Sequence, residues 1–286
     1  MDISIQRFLQ HLRTQEDAAE NTLLAYATDL EQFQRVLKAH GDAFNLLAAL
    51  DHPNVRHYVD WLSHQGYQPA TITRKMAAVR SYLSYIEAYE HTPTSHLMSL
   101  LNAPPSPQVR PLTLSRAELK ALIEAPQKES GPGPLRDATI LNVLYETGFR
   151  ANEVVNLQIS DLDMQRSLIR RPGSDDAWIP LTRSADILKQ YMQDGRPNFL
   201  KHAGEKTLFL NQRGKGLSRQ GLWLVVKRWA EEAGLNPELS PQTLRHTRTQ
   251  HLLEQGLKKS EVQRFLGLSS PNALRIHYAV NERDEY

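Results

Sequence analysis

Two arginines lie 95 positions apart in the sequence, and each is placed where a phosphate could be held. In ETGFRANEV, Arg150 stands at a turn entering a helix, with Glu153 one turn later. In TLRHTRTQHLLEQG, Arg245 lies near the start of a second helix. A guanidinium is a planar fork of donors, so two of them can bond the nonbridging oxygens of one phosphate and neutralise the charge that builds up there during phosphoryl transfer. Glu153 is placed to steady Arg150 through an ion pair. The stretch SPQTLRHTRTQHLLEQG also gathers Arg245, His246, Arg248 and His251 with no acid before Glu254, which points to a negatively charged partner. His246 and His251 read as histidines that complete packing.

The rest of the composition narrows the field. At 286 residues, 40% hydrophobic, the chain can bury a full core and is expected to split into two domains. Without cysteine it has neither disulfides nor a thiolate metal site. The charged start MDISIQRFLQHLRTQ is unlike a secretory signal, and no run approaches a membrane span, so a cytoplasmic protein with no membrane partner is expected. The net charge of +2 hides an asymmetry: the first 105 residues carry 8 Lys+Arg and 11 Asp+Glu, the remainder 26 and 21. Lys206 to Arg228 holds six cations and no acid, the pattern of a surface that meets a polyanion.

Helices must do the positioning. NTLLAYATDLEQFQRVLKAH repeats Leu24, Leu30, Phe33 and Leu37 at helical spacing behind a potential Asn21 cap. With residues 3 to 13, VRHYVDWLSHQG and ATITRKMAAVRSYLSYIEAY it forms a four-helix module, whose Tyr26, Phe33, Tyr58, Trp61, Tyr82 and Tyr85 read as core. The proline-rich NAPPSPQVRP marks an extended linker, giving a helical domain over 1–101, a linker over 102–112 and a second domain over 113–286. In that second domain Ser115 and Glu118 form a capping box. DMQRSLIRRPGSDDAWIPLT predicts a hairpin around PGSDD, TLFLN gives the other strand signal, and helices resume from Ser218. The expected fold is mainly α with a small antiparallel sheet.

In order along the chain, ENTLLAYATDL, TITRKMAAVRSYL, LYETGFRANEVVNLQISDLD, FLNQRGKGLSRQGLW, SPQTLRHTRTQHLLEQG and VQRFLGLSS resemble a tyrosine recombinase of the Xer or phage-integrase type. The resemblance implies a helical core-binding domain and a mostly helical catalytic domain closing as a C-shaped clamp on double-stranded DNA. It further implies cleavage of one strand at a time by a tyrosine hydroxyl, giving a 3′-phosphotyrosyl link and a free 5′-hydroxyl, without metal or nucleotide. By the same resemblance Arg150 and Arg245 hold the nonbridging oxygens.

Other positions depart from the family pattern. The first histidine of H-x-L-R-H is Gln242, whose amide donates a hydrogen bond but cannot shuttle a proton. Counting back from Ile179-Pro180-Leu181, Pro172 occupies the place of the hairpin lysine that serves as general acid. Arg170 or Arg171 is placed to approach the site, but a guanidinium is a poor proton donor. The family's G-H or G-W pair reads Gly267-Leu268, which removes another donor. Ten residues after Gly267 comes His277, and Tyr278 is one further on. With Ser270 and Pro271 starting that helix, a one-residue slip turns the tyrosine by about 100° and advances it about 1.5 Å. Tyr278 then packs, or is brought inward by a distortion of the helix, or His277 attacks in its stead.

Two readings follow. In the first, the chain is a DNA-binding, architectural or partner subunit in recombination whose own strand cleavage is weak or lost. In the second, it is a working site-specific recombinase that forms a 3′-phosphotyrosyl intermediate through Tyr278. By resemblance and charge, DNA contacts are assigned to Arg213, Lys215, Arg219 and Gln220 in the second domain, and to Thr71, Arg74, Lys75 and Arg80 in the first. Eight residues follow Tyr278, fewer than the family uses to dock on a neighbour, so a monomer in solution that meets a related protomer on DNA is expected.

Overall fold

The computed structural model describes residues 1–16, 18, 20–39, 45–102, 110–173, 178–268 and 274. The chain folds as two compact units, Met1–Gln108 and Val109–Tyr286. Most of the linker expected at 102–112, the turn of the hairpin, and the segment carrying Ser270, Pro271, His277 and Tyr278 lie outside the described residues.

The amino-terminal unit packs α1 (Ile3–Thr14), α2 (Glu20–Lys38), α3 (His52–His64) and α4 (Pro69–Tyr89), with a short 3₁₀ segment at Ser95–Leu101. Asp2 caps α1 and Asp51 caps α3, each accepting from a backbone amide of the first turn. The core gathers Ile5, Phe8, Leu30, Phe33, Tyr58, Leu62, Tyr82 and Ile86, against which Tyr26, Trp61 and Tyr85 pack. Two details differ from the sequence expectation. At the start of α2 the buried leucine is Leu23, whereas Leu24 is 59% exposed. The helix already includes Glu20, so Asn21 lies within it and is not its cap.

The second unit is built on α5 (Arg116–Glu124), α6 (Pro132–Thr147), α7 (Ala151–Val155), α8 (Ala185–Gln190), α9 (Arg219–Glu232), α10 (Pro241–Glu254) and α11 (Lys259–Leu266). The capping box of α5 is formed: Ser115 and Glu118 each accept from the other's backbone amide. Between α7 and α8 lies a three-stranded antiparallel sheet, β1 (Leu162–Asp163), β2 (Leu168–Ile169) and β3 (Ile179–Pro180), in the order β1-β2-β3. Ile169 faces Leu162 on one side and Ile179 on the other. TLFLN makes two isolated bridges, Gln158 with Thr207 and Leu210 with Gly216, and no longer strand. The fold is thus mainly α with a small antiparallel sheet, and no described helix is long and apolar enough to cross a membrane.

The core of this unit centres on α6, which is buried nearly all round and contributes Ile140, Leu141, Val143 and Leu144 beside Phe149, Leu222, Trp229 and Leu244. α10 and α7 both pack on α6. That packing fixes the two helix starts on which Arg150 and Arg245 ride.

Candidate active site

α6 ends at Gly148, whose left-handed backbone (φ 61°) turns the chain so that Arg150 becomes the N-cap of α7. A Cβ at Gly148 would stand 2.8 Å from Leu266 Cδ2, so α11 can approach this turn closely only past a glycine. Glu153, in the first turn of α7, accepts from the Arg150 amide at 2.7 Å and from Arg150 Nη1 at 2.9 Å. The second arginine comes from α10, which Ser240 caps. Arg245 is 5% exposed; its Nη1 donates to the Gly148 carbonyl at 2.5 Å and stands 3.9 Å from Glu153 Oε2. Residues 95 positions apart thus converge on one carboxylate.

Of Arg170 and Arg171, the two arginines that the sequence offered beside Pro172, one joins the site as a third member. Arg171, just beyond β2, brings Nε to 3.2 Å from Glu153 Oε1 and lays its guanidinium 5.2 Å over the Phe149 ring. Its neighbour Arg170 instead meets Asp161 and stacks on Trp178, because successive side chains of an extended chain point to opposite faces. The Arg170-Arg171 doublet beside Pro172 was the available signal, and this alternation decides which of the two reaches the site.

The carboxyl end of α11 orders all three guanidiniums. Arg171 donates to the Phe265 carbonyl at 3.3 Å, Arg245 to Leu266 at 2.9 Å and Arg150 to Gly267 at 3.3 Å. These are carbonyls that a helix end leaves without an intrahelical partner, and they carry the negative pole of the helix dipole. Gly267 closes α11 in the left-handed region (φ 59°), and a Cβ there would stand 2.6 Å from Arg171 Nη1. Burial, with the Arg150 and Arg171 charges adding to it, pulls Arg245 down to about 10 while Glu153 opposes them; it stays cationic at neutral pH. Among the described residues three cations surround one carboxylate, and an anion held between them relieves their mutual repulsion.

The neighbouring groups are of other kinds. Gln242 is exposed one turn before Arg245 and lies 3.2 Å from His246 Nε2. Burial and the adjacent Arg245 lower the His246 pKa, which favours the neutral ring. His251 is buried against Tyr145, its Nδ1 3.0 Å from the phenol oxygen. Leu268 packs with Leu252, Val262 and Leu266. His277 and Tyr278 lie outside the described residues. Among the described residues no group of His, Asp and Glu has the clustering to hold a metal ion.

Away from this cluster, Arg213 and Lys215 stand exposed on a tight turn whose amides donate to the Asn211 side chain. Arg219 and Gln220 are exposed in the first turn of α9. The cationic run is not one-signed in space, since Arg228 forms two bonds to Glu129 and Lys227 donates to the Pro237 carbonyl. In the amino-terminal unit, Lys75 departs from the expectation of a cation facing a groove. It is 6% exposed, donates to Asp29 and Gln32, and lies over the Tyr67 ring, because the buried Asp29 carboxylate needs a counter-charge. Arg74 is exposed but shares Asp29, and Arg80 binds the Leu101 carbonyl and Asn102. Thr71 is half-buried at the start of α4.

Comparison with known proteins bears on both units. The phage integrase family matches residues 113–284, and its N-terminal SAM-like domain matches residues 5–89. The chain belongs to the phage integrase family. Within this family it is similar to tyrosine recombinase XerC of Herpetosiphon aurantiacus, 33% identical across 98% of this chain and 92% of the relative. It is also similar to tyrosine recombinase XerD of Halalkalibacterium halodurans, 29% identical across 99% and 96%. Among solved structures, XerH in a post-cleavage complex with palindromic difH substrate shares the integrase fold at a TM-score of 0.70, with 23% identity over 99% of this chain and 94% of that one. A lambda integrase dimer bound to a COC′ core site shares it at 0.68, with 17% identity over 93% and 91%.

Proposed function

We propose that this protein is a DNA-binding member of the site-specific recombination machinery, which holds a backbone phosphate of duplex DNA between Arg150 and Arg245 and cuts that strand weakly or not at all. The observation that carries this reading is the convergence of both guanidiniums on Glu153 and on the end of α11. A DNA phosphodiester is the anion that Xer-type relatives would bring to such a pocket. Residues 1–101 serve as the core-binding domain and 113–286 as the catalytic domain, with 102–112 joining them. Arg213, Lys215, Arg219 and Gln220 add backbone and base contacts, and Arg74 and Arg80 act from α4. The chain is a monomer in solution and meets a related protomer on DNA.

Slow cleavage follows from what surrounds the phosphate pocket. Replacing a general acid costs about 10² to 10⁴ in rate, and losing one preorganised donor costs about 10² to 10³, although such losses do not add cleanly within one site. Pro172 and Gln242 supply neither of the proton-transfer groups that the family pattern has at their positions, and Leu268 offers no side-chain hydrogen-bond donor. DNA binding is spared, because it depends on summed charge and fit.

A second reading, a working recombinase that attacks through Tyr278, is favoured by the intact order of the arginine pocket. One experiment separates the two. A binding site captured from genomic fragments is built into a nicked suicide duplex and incubated with wild type, Tyr278→Phe and His277→Ala. Salt-sensitive binding with no covalent adduct supports the first reading. A Tyr278-dependent adduct formed within minutes supports the second, and loss of duplex binding altogether removes both.

A further inference from the structure

We infer that Arg171 is a positioning residue of the phosphate site: it takes up the charge of Glu153, so that Arg150 and Arg245 face a DNA phosphate undiminished, and it supplies from the β2-β3 hairpin a fixed positive charge. This rests on the phosphate-holding role proposed for Arg150 and Arg245.

The geometry is that of a shared counter-ion. Glu153 Oε1 stands 2.9 Å from Arg150 Nη1 and 3.2 Å from Arg171 Nε, while Oε2 accepts the Arg150 amide and lies 3.9 Å from Arg245. Arg150 and Glu153 alone would form a neutral pair and leave Arg245 as the sole net cation. With Arg171, three cations among the described residues share the one carboxylate.

Arg171 is also held more firmly than an incidental neighbour. Its guanidinium is fixed on Phe149, bonded to the Phe265 carbonyl and fitted against the Cα of Gly267, where no side chain would leave it room. The side chain is 11% exposed, so its charge acts through little water. It reaches the pocket from one residue before Pro172, and so restores the hairpin's positive charge without restoring a proton donor.

The test couples Arg171 to one phosphate. Duplexes carrying a single neutral methylphosphonate at each successive position are bound by wild type and by Arg150→Gln, and the phosphate held by the pocket is the one whose neutralisation abolishes the effect of Arg150→Gln. On the unmodified duplex Arg171→Gln is expected to bind about tenfold more weakly than wild type. On the duplex neutralised at that phosphate the difference should fall to twofold or less. Arg171→Lys, which keeps the charge, should retain the wild-type response to methylphosphonate and serves as the readout if Arg171→Gln does not fold. An Arg171→Gln penalty of equal size on both duplexes, or a lysine variant that loses the response, would assign Arg171 to structure alone and overturn the inference. Failure of wild type to bind duplex, or of any position to respond to Arg150→Gln, would instead remove the underlying phosphate-site reading and this inference with it.

Discussion

Gln242 and Leu268 differ in how easily the chemistry they lack could be returned. Gln242 is exposed one turn before Arg245, so histidine fits there without disturbing the core. Leu268 is packed with Leu252 and Val262, where an imidazole would be partly desolvated. Gln242→His is therefore expected to fold as wild type and to raise the rate of covalent adduct on the suicide duplex by about 10²-fold, the contribution of one positioned proton-transfer group. Equal rates for the two proteins would mean that position 242 does not face the reacting phosphate.

At the scale of elements, the site depends on two anchors that bear no catalytic group. One is α11, whose final carbonyls receive Arg171, Arg245 and Arg150 in turn. The other is Glu146, buried at the end of α6, which binds the segment after β3 through five hydrogen bonds: from the Thr182, Arg183 and Ser184 amides and the Thr182 and Ser184 hydroxyls. Burial pushes this carboxyl up, but the hydrogen bonds outweigh it and hold the pKa below 4.5. A folded-state value below the unfolded one adds stability that is complete above the unfolded pKa and disappears as pH falls through the folded one. Glu146→Gln should cost about 2 kcal/mol at pH 7, because the amide cannot accept all five bonds and its NH₂ faces donors. In urea melts the gap between wild type and variant should narrow once the pH drops below 4.5, the carboxyl's ordinary value; a gap unchanged at pH 3 would count against the charged form as the source.

For the molecule as a whole, the question is which positive charges remain available to a polyanion. Arg213, Lys215 and Arg219 are exposed and make no side-chain hydrogen bond or ion pair among the described residues, whereas Lys75 and Arg228 are paired internally. Duplex affinity plotted against salt should reflect that division. Arg213→Gln and Arg219→Gln are each expected to lower the slope of log K against log salt by about 0.9, one phosphate contact apiece. Arg228→Gln should leave the slope unchanged. A slope insensitive to Arg213 and Arg219 would place the DNA contacts elsewhere on the chain.

The sequence by itself determined what has a local cause. Ser115 with Glu118 caps α5 and Ser240 caps α10, because a cap is settled within four residues. The repeat of Leu30, Phe33 and Leu37 marks the buried stripe of α2, although the choice between Leu23 and Leu24 fell to the tertiary packing, since adjacent helix positions differ by only about 100°. Arg150, Glu153 and Arg245 were legible as members of one cluster from residue type and order, and the structure brings the three together. Charges were legible only as counts. That Lys75 is spent on Asp29, that Arg228 is tied to Glu129, and that Arg171 enters the pocket while Arg170 turns away all depend on partners brought from 9 to 99 positions distant. Above all, the three backbone carbonyls that order the guanidiniums belong to a helix end whose own sequence, Phe265-Leu266-Gly267, names no acceptor. Every residue carries a carbonyl, and only the packing of α11 against the Gly148 turn decides which ones face an arginine.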